Sequence, residues 1–480
     1  MNTIQRISKN ISILFVSQIL TYIFSFFTLA YTARFFGVAG YGTLSFALAF
    51  TQIFSVLMDL GLNTFTVREV ARKKSLAKDY IANISLIKII LGTITFFLII
   101  IMAHILGYNL QTIEIVAFIA LYTIFFAFSQ LFYAVFQANE KMEYPSLGNI
   151  INSILLLIGV FAAIHYGLNI CQYSQIYAFT GAIILIYAVL TYSWRFNLPK
   201  IKFEWIVWKR LIKEAWPFAI TGISINLYLY IDSIILSLFQ GQEAVGFYNA
   251  AYRFILVLLF IPIIFNNALF PLMSRYFISS KESLNFTFDK LFKIMILIGF
   301  PIAIGVVIIG NKLILLIYGA QYLEALIPMQ ILIWSTLLIF ARSPFERLLE
   351  SSNKQLSVTK IFILGAIFNT ILNIIFIPHF SYVGAAIITV LTDILVFGLL
   401  FFAVKKSKDI IISKNTKISL IKILIASLMM GLVIDYLKFL NVFLLISIGI
   451  IVYIVILSIM KIFDKNEISM IKSIFRRNSD

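Results

Sequence analysis

The chain has 480 residues, 61% of them hydrophobic and only 12% charged, with a mean hydropathy of +1.00. Soluble domains carry about 25% charged residues, so the apolar surplus must face lipid, and a core surrounded by water is excluded. A net charge of +17 would suggest nucleic acid in a soluble protein; here the basic residues flank apolar runs, which points to the membrane surface and away from nucleic acid.

The single cysteine, Cys171, leaves no intramolecular disulfide and no cysteine-cluster metal site. A hydrocarbon core about 30 Å thick takes about 20 residues of helix, so the chain has room for about twelve to fourteen spans. The run Ile11–Ala33 is too long for the apolar part of a cleavable signal and lacks a small-residue cleavage site. It is expected to stay as the first span. Apolar runs parted by charge clusters or Gly/Asn/Pro turns predict six spans at Ile11–Ala33, Thr43–Asn63, Ile81–Leu106, Ile113–Ala138, Leu147–Tyr166 and Ser174–Trp194. Six more are predicted at Glu214–Phe239, Phe247–Met273, Lys290–Leu316, Leu323–Leu349, Val358–Ile377 and Gly384–Val404. Ile418–Leu437 and Val442–Ile462 complete an all-α, polytopic membrane protein of about 14 transmembrane helices. Open backbone groups are not tolerated in lipid and the alternation of a membrane barrel is absent, so the runs are helices.

Orientation follows from Lys and Arg. With the N-terminus in the cytoplasm, 32 of the 38 basic residues fall on the cytoplasmic side, and only Lys312 and Lys438 fall in outside connections. The other four, Arg34, Lys88, Arg253 and Arg342, lie in spans or at their edges. Both termini are therefore expected to be cytoplasmic. No outside connection is long enough to house an active site, and no nucleotide-binding loop or zinc motif occurs. Neither an enzyme nor a resident cofactor or metal is expected. The segment KIKFEWIVWKRLIK, Lys200–Lys213, mixes aromatic and basic residues and reads as an amphipathic linker in the headgroup layer.

Two features recur along the chain. FFGVAGYG after span one and FQGQEAVGFY after span seven each place a Gly–aromatic pair, Gly40-Tyr41 and Gly246-Phe247, at the start of the next helix. QANEK and ESSNK place Lys141 and Lys354 alike at the ends of spans four and ten. The offsets of 206 and 213 residues match six spans, a parallel duplication of the kind that puts a substrate site between halves. Short turns between helices also resemble one another for local reasons. The expected domains are a six-helix lobe at 1–199, the linker at 200–213, a second lobe at 214–404, and a last helix pair with tail at 405–480.

Charges inside spans are informative because each costs about 2.5–3.5 kcal/mol to insert. Asp232, in LYLYIDSIIL, is either a functional carboxylate or a buried, hydrogen-bonded one. Lys88 sits two turns into span three, where snorkelling is a competing explanation. Arg342 and Glu346 stand four apart on span ten and are placed to pair with each other. Arg253 lies in span eight, Arg34 at the outer end of span one, and Asp59 and Asp393 towards helix ends. A cavity lined by Arg34, Lys88, Arg253 and Arg342 would be cationic, suited to a phosphate-bearing amphiphile. Polar positions such as Gln18, Asn226, Asn249, Asn266, Asn267, Asn369 and Asn373 suit either sugar hydroxyls or contacts between helices.

Four stretches carry a resemblance: ARFFGVAGYGTLSFALAFTQIFSVLMDLGLNTFTVREVARKK (33–74), YIDSIILSLFQGQEAVGFYNAAYRF (230–254), IYGAQYLEALIPMQIL (317–332) and FNTILNIIFIPHFSYVGAAIITVLTDI (368–394). Together they resemble the polysaccharide-export branch of the multidrug/oligosaccharidyl-lipid/polysaccharide exporter superfamily, specifically Wzx-type O-antigen flippases, over nearly the whole chain. The resemblance implies a MATE-like fold of two six-helix lobes plus a C-terminal pair, working by alternating access in the bacterial inner membrane. The implied substrate is an undecaprenyl-diphosphate-linked oligosaccharide, flipped between leaflets and driven by H+ or Na+. A polysaccharide polymerase and a chain-length regulator are the implied partners, besides membrane lipid. Asp232, Arg253 and Arg34 lie inside the shared motifs, whereas Lys88, Arg342 and Glu346 rest on burial and spacing. The competing expectations are a lipid II or other polyprenyl-linked sugar flippase, and a multidrug antiporter, which would need acidic cavity residues. A polymerase or ligase of the same pathway would carry a large outside loop, which this chain lacks.

Overall fold

The structure, a computed structural model, describes residues 3–196, 203–406 and 413–462, apart from some side chains, that of Asn267 among them. The first three residues of the expected linker, Lys200 to Lys202, lie outside the described residues. Every regular element among the described residues is helical. Eleven helices are long and apolar enough to cross a membrane, and three of them, of 45 to 52 residues, are long enough to cross twice. That makes fourteen crossings.

The doubled helices differ from the expected loops. α1 (Thr3–Asp59), α7 (Trp205–Leu258) and α11 (Gln355–Lys406) are helical on both sides of a single residue where the chain breaks direction. In α1 that residue is Gly37, with φ 67° and ψ −177°, and in α7 it is Gly241, with φ 81° and ψ −177°. This corner of backbone space is open essentially to glycine alone. In α11 the break falls on Ser381, at φ 50° and ψ −140°. The two halves of α1 run in opposite directions. Asn10 donates to the Glu140 carbonyl just past the end of α4 (Leu110–Ala138), while Asp59, at the other end of α1, shares Lys88 with the Ala127 carbonyl in the second half of the same helix. The expected connections Phe35–Gly42, Gln240–Gly246 and Pro378–Val383 are therefore one-residue breaks in helix.

The second recurrent feature also has matching backbone. Lys141 N–H donates to the Phe136 carbonyl at 2.9 Å after left-handed Glu140 (φ 57°). Lys354 N–H donates to the Leu349 carbonyl at 2.8 Å after left-handed Asn353 (φ 59°). Both are helix-ending motifs in which a left-handed residue satisfies the last open carbonyls.

The described chain groups into two compact units, 1–250 with 362–388, and 251–361 with 389–480. The first holds α1, the short helix α2 (Leu62–Arg72), α3 (Ala77–Ile105), α4, α5 (Glu143–Tyr166), α6 (Ile170–Phe196), most of α7 and the middle of α11. α2 occupies part of the expected loop after span two and buries Leu62, Phe65 and Val70. Its core gathers Phe65, Ile84, Val135, Phe136 and Tyr192 with Trp208 and Leu211 of α7. From Trp205 the expected linker is the first turns of α7, and the Trp208 indole donates to the Asn83 side-chain oxygen at 3.1 Å. On the lipid side of α3, Ile94, Phe97, Ile101 and Ile105 are more than half exposed.

The second unit holds α8 (Phe260–Ser279), α9 (Lys281–Ile317), α10 (Leu326–Ser351), the ends of α11, α12 (Lys414–Tyr436) and α13 (Val442–Ile459). α10 and α12 both pack on α9, and Phe288, Phe292 and Phe345 form an edge-to-face cluster between α9 and α10.

Candidate functional site

A charge within a span needs a partner or water, and the structure supplies partners to most of the buried ones. Lys88 on α3, 2% exposed, donates to Asp59 at 2.8 Å and to the Ala127 carbonyl at 3.1 Å, joining α3 to α1 and α4. Asp232, also 2% exposed, accepts from the Tyr248 hydroxyl at 2.5 Å and from Asn373 at 2.6 Å. Asn373 donates as well to Asn369, and Asn249 to Ser233. The two halves of α7 and the middle of α11 are thereby tied through polar side chains.

In the second unit Arg342 on α10 is buried between two acids. One nitrogen lies 3.1 Å from Asp393 of α11, and Nε lies 3.1 Å from Glu346 one turn along. Ser335 also donates to Asp393, which is wholly buried. Pairing within α10 was legible from the four-residue spacing. Asp393, by contrast, is placed by the sequence only towards a helix end, and its role as Arg342's partner across helices is a finding of the structure. Arg253 is half-buried on α7, and Arg34 is exposed three residues before the Gly37 break. The four basic residues expected to line one cavity are thus held in different settings, two of them within ion pairs.

The polar space of the first unit lies elsewhere. A cavity of about 310 Å³ between α1, α4 and α7 is lined by Gln52, Asn63, Gln130 and Asn226, with Asp59 at its wall. It adjoins a second of about 620 Å³ that shares Asn63, Thr64 and Gln130 and adds Gln137, Asn149 and Arg68. Asn226 is fixed by donating to the Gln52 carbonyl at 2.9 Å. The Arg68 guanidinium lies 2.9 Å from Glu69, 3.6 Å from Glu214 and 5.1 Å from the centre of the Phe65 ring. The surface is rich in amides, whose paired donors and acceptors match sugar hydroxyls. Only Asn226 among these was singled out from the sequence. Gln52 and Gln130, isolated in LAFTQIF and AFSQLFY, carried the same signal: a polar group costly to bury inside an apolar run.

The glycine-containing breaks meet each other. A Cβ on Gly42 would stand 1.8 Å from the Gln242 carbonyl, and one on Gly246 would stand 2.3 Å from the Val38 carbonyl. Each recurrent turn thus presses a glycine onto the backbone of the other, an approach no larger residue permits. Around them Tyr108 shares a hydrogen bond of 2.8 Å with Ser237, which also accepts from Gln242, and Gln240 donates to the Pro378 carbonyl. Burial pushes the Tyr108 phenol, in the connection between α3 and α4, up to about 12, so it stays protonated at physiological pH.

The chain is 28% identical over 424 residues to a putative O-antigen transporter of Shigella dysenteriae, covering 83% of this chain and all of the relative. It is 21% identical over 383 residues to the probable low-salt glycan biosynthesis flippase Agl15 of Haloferax volcanii, covering 79% of each. The solved structure of lipid II flippase MurJ in its inward closed conformation superposes with a TM-score of 0.72 over 93% of this chain and 98% of that one. Its sequence is 19% identical, so the likeness is one of fold. The MatE family profile matches residues 217–375. The profile described as Polysaccharide biosynthesis protein matches residues 7–277, more than half of the chain, and this multi-pass membrane protein belongs to that family.

Proposed function

We propose that the chain is a flippase that moves a polyprenyl-diphosphate-linked oligosaccharide across the bacterial inner membrane by alternating access. The observation that carries this reading is the pair of adjoining amide-lined cavities of the first unit, with Arg68 on the wall of the larger. Gln52, Asn63, Gln130 and Asn226 hydrogen-bond the sugar, while the Arg68 guanidinium suits a diphosphate through bidentate contacts. The glycine contact between Val38–Gly42 and Gln242–Gly246 closes one end while substrate enters from the other. The O-antigen transporter and glycan flippase among the relatives support the substrate class. An antiporter for organic cations fits less well, because Asp59, the carboxylate at the cavity wall, already holds Lys88.

In this scheme residues 1–199 and 214–404 are the two six-helix lobes, and 405–480 add the last pair. Both termini are cytoplasmic, in keeping with the distribution of basic residues. Arg253 and Arg34 supply further cationic contacts along the path. Lys88, Asp232, Arg342 and Glu346 act through the pairs they make and exchange, with an H+ or Na+ gradient driving the cycle.

Deleting the gene should abolish surface polysaccharide while lipid-linked single repeat units accumulate inside the cell. Surface polysaccharide that persists in a strain with no other flippase would refute the reading. Arg68→Ala should lower export without lowering the amount of membrane-inserted protein.

A further inference from the structure

A cavity of about 570 Å³ lies wholly within the second unit, and none of its lining residues belongs to the clusters or cavities above. Three helices converge there: the early turns of α9, the start of α12 and the end of α13. They line it with Lys290, Lys293, Lys422 and Lys461, together with Glu282 and Asp289. Asp289 is engaged in capping α12: its carboxylate accepts from the Ser413 hydroxyl at 2.5 Å and the Thr416 hydroxyl at 2.6 Å. The cationic side of the cavity is equally fixed. Lys293, 6% exposed, donates to the Ile462 carbonyl at 2.8 Å, and Lys422 donates to the Met460 carbonyl at 2.8 Å.

Those carbonyls are the open groups past the last turn of α13, where cations are favoured. These two bonds anchor the lysine ammonium groups against the end of α13. Phe286 and Ile418, both exposed apolar side chains, line the same cavity. Lysines and exposed apolar side chains lining one cavity at the ends of spans match an amphiphile with a phosphate head and a hydrocarbon chain. Basic pockets between helix ends at this depth hold anionic headgroups. A free phosphate would use the lysines but leave the apolar wall idle.

We propose that this cavity binds the phosphate head of a membrane lipid, with its hydrocarbon chain along Phe286 and Ile418. None of its lining residues belongs to the cavities assigned to the sugar, so failure of this proposal would leave the flippase reading untouched.

The test is native mass spectrometry of the purified full-length protein, titrated with dioleoylphosphatidylglycerol, dioleoylphosphatidylcholine, a polyprenyl diphosphate and inorganic phosphate. Lys290→Gln/Lys461→Gln is the informative variant because it spares the two lysines that cap α13. At about fivefold per lysine near a phosphate, the variant should lose lipid affinity about 25-fold. Retention of phosphatidylglycerol, weakened in the variant, supports a resident phospholipid. Retention of the polyprenyl diphosphate alone, weakened in the same way, supports the site and assigns it to the lipid carrier. Equal retention of phosphatidylcholine and phosphatidylglycerol overturns the proposal, as does unchanged retention in the variant. Complete displacement of the lipid by millimolar inorganic phosphate also overturns it in favour of a soluble-phosphate site.

Discussion

Two buried aspartates meet chemically different side chains. Asp232, in the first unit, is held by a phenol and an amide, Tyr248 and Asn373. Asp393, in the second, is held by the Arg342 guanidinium and the Ser335 hydroxyl. Both sit within spans and are essentially buried, so burial alone does not distinguish them. Their partners do. A hydrogen-bonded cluster is adjustable, since hydroxyl and amide donors rotate and exchange at modest cost, whereas separating a buried ion pair strands a charge. The first unit therefore has the cluster suited to rearranging across a helix break, and the second has the one suited to holding two helices together.

The sharpest way to break this contrast is Arg342→Met, which leaves the buried Asp393 and the half-buried Glu346 without their cation. A loss of about 3–5 kcal/mol is expected, read as a lower midpoint of thermal unfolding in detergent. Arg342→Met/Asp393→Leu should recover part of that loss, and no recovery would mean that the pair does not act as a unit. Next in size is Gly42→Ala. Its Cβ would fall on the backbone carbonyl of Gln242, so no side chain can swing aside, and overpacking costs about 1–3 kcal/mol. Because Cys171 is the only cysteine and is buried, a cysteine placed at Ser237 can report the opening of this contact. It should label faster in Gly42→Ala than in the parent, and equal labelling would sink the idea that the glycines hold that end closed.

Asn373→Leu, which removes one donor from Asp232, should cost about 1–3 kcal/mol, less than Arg342→Met. If it costs more, the hydrogen-bonded cluster is the rigid one and the contrast is reversed. The smallest stability effect is expected of Gln130→Ala, at about 0.5 kcal/mol or less, since this cavity-lining side chain is only partly buried. Export should nonetheless fall measurably. Wild-type export would remove Gln130 from the sugar-contacting set.

Much of the fold was legible because lipid imposes it locally. A span must be about 20 apolar residues with every backbone group bonded inside the helix, so the fourteen runs could be read one at a time. The boundaries moved mainly outwards, as at α9, which starts at Lys281 where Lys290 was expected. Polar residues carry a helix beyond the hydrocarbon without leaving a hydropathy signal. The one-residue breaks that replace the loops expected at Phe35–Gly42 and Gln240–Gly246 were not legible for a related reason. A glycine at φ 67° or 81° turns the chain in one residue, and hydropathy does not register backbone angles.

The site was less legible. Arg342–Glu346 could be inferred from spacing along one helix, but Arg342–Asp393 joins residues 51 apart in the chain. Lys88–Asp59 and Asp232–Asn373, 29 and 141 apart, raise the same difficulty. The amides of the first unit's cavity were visible as isolated polar residues, yet nothing local marked Gln52 and Gln130 as facing one space.

The sequence by itself determined the medium, the number of crossings and the recurrence of two turn motifs, because each depends on residues near one another in the chain. Only the tertiary structure decided which acid meets which base, which amides share a cavity, and that the recurrent glycines lie against each other's carbonyls. Those outcomes depend on how helices pack against one another. Packing is set by the shapes of many side chains at once, and not by any one run of residues.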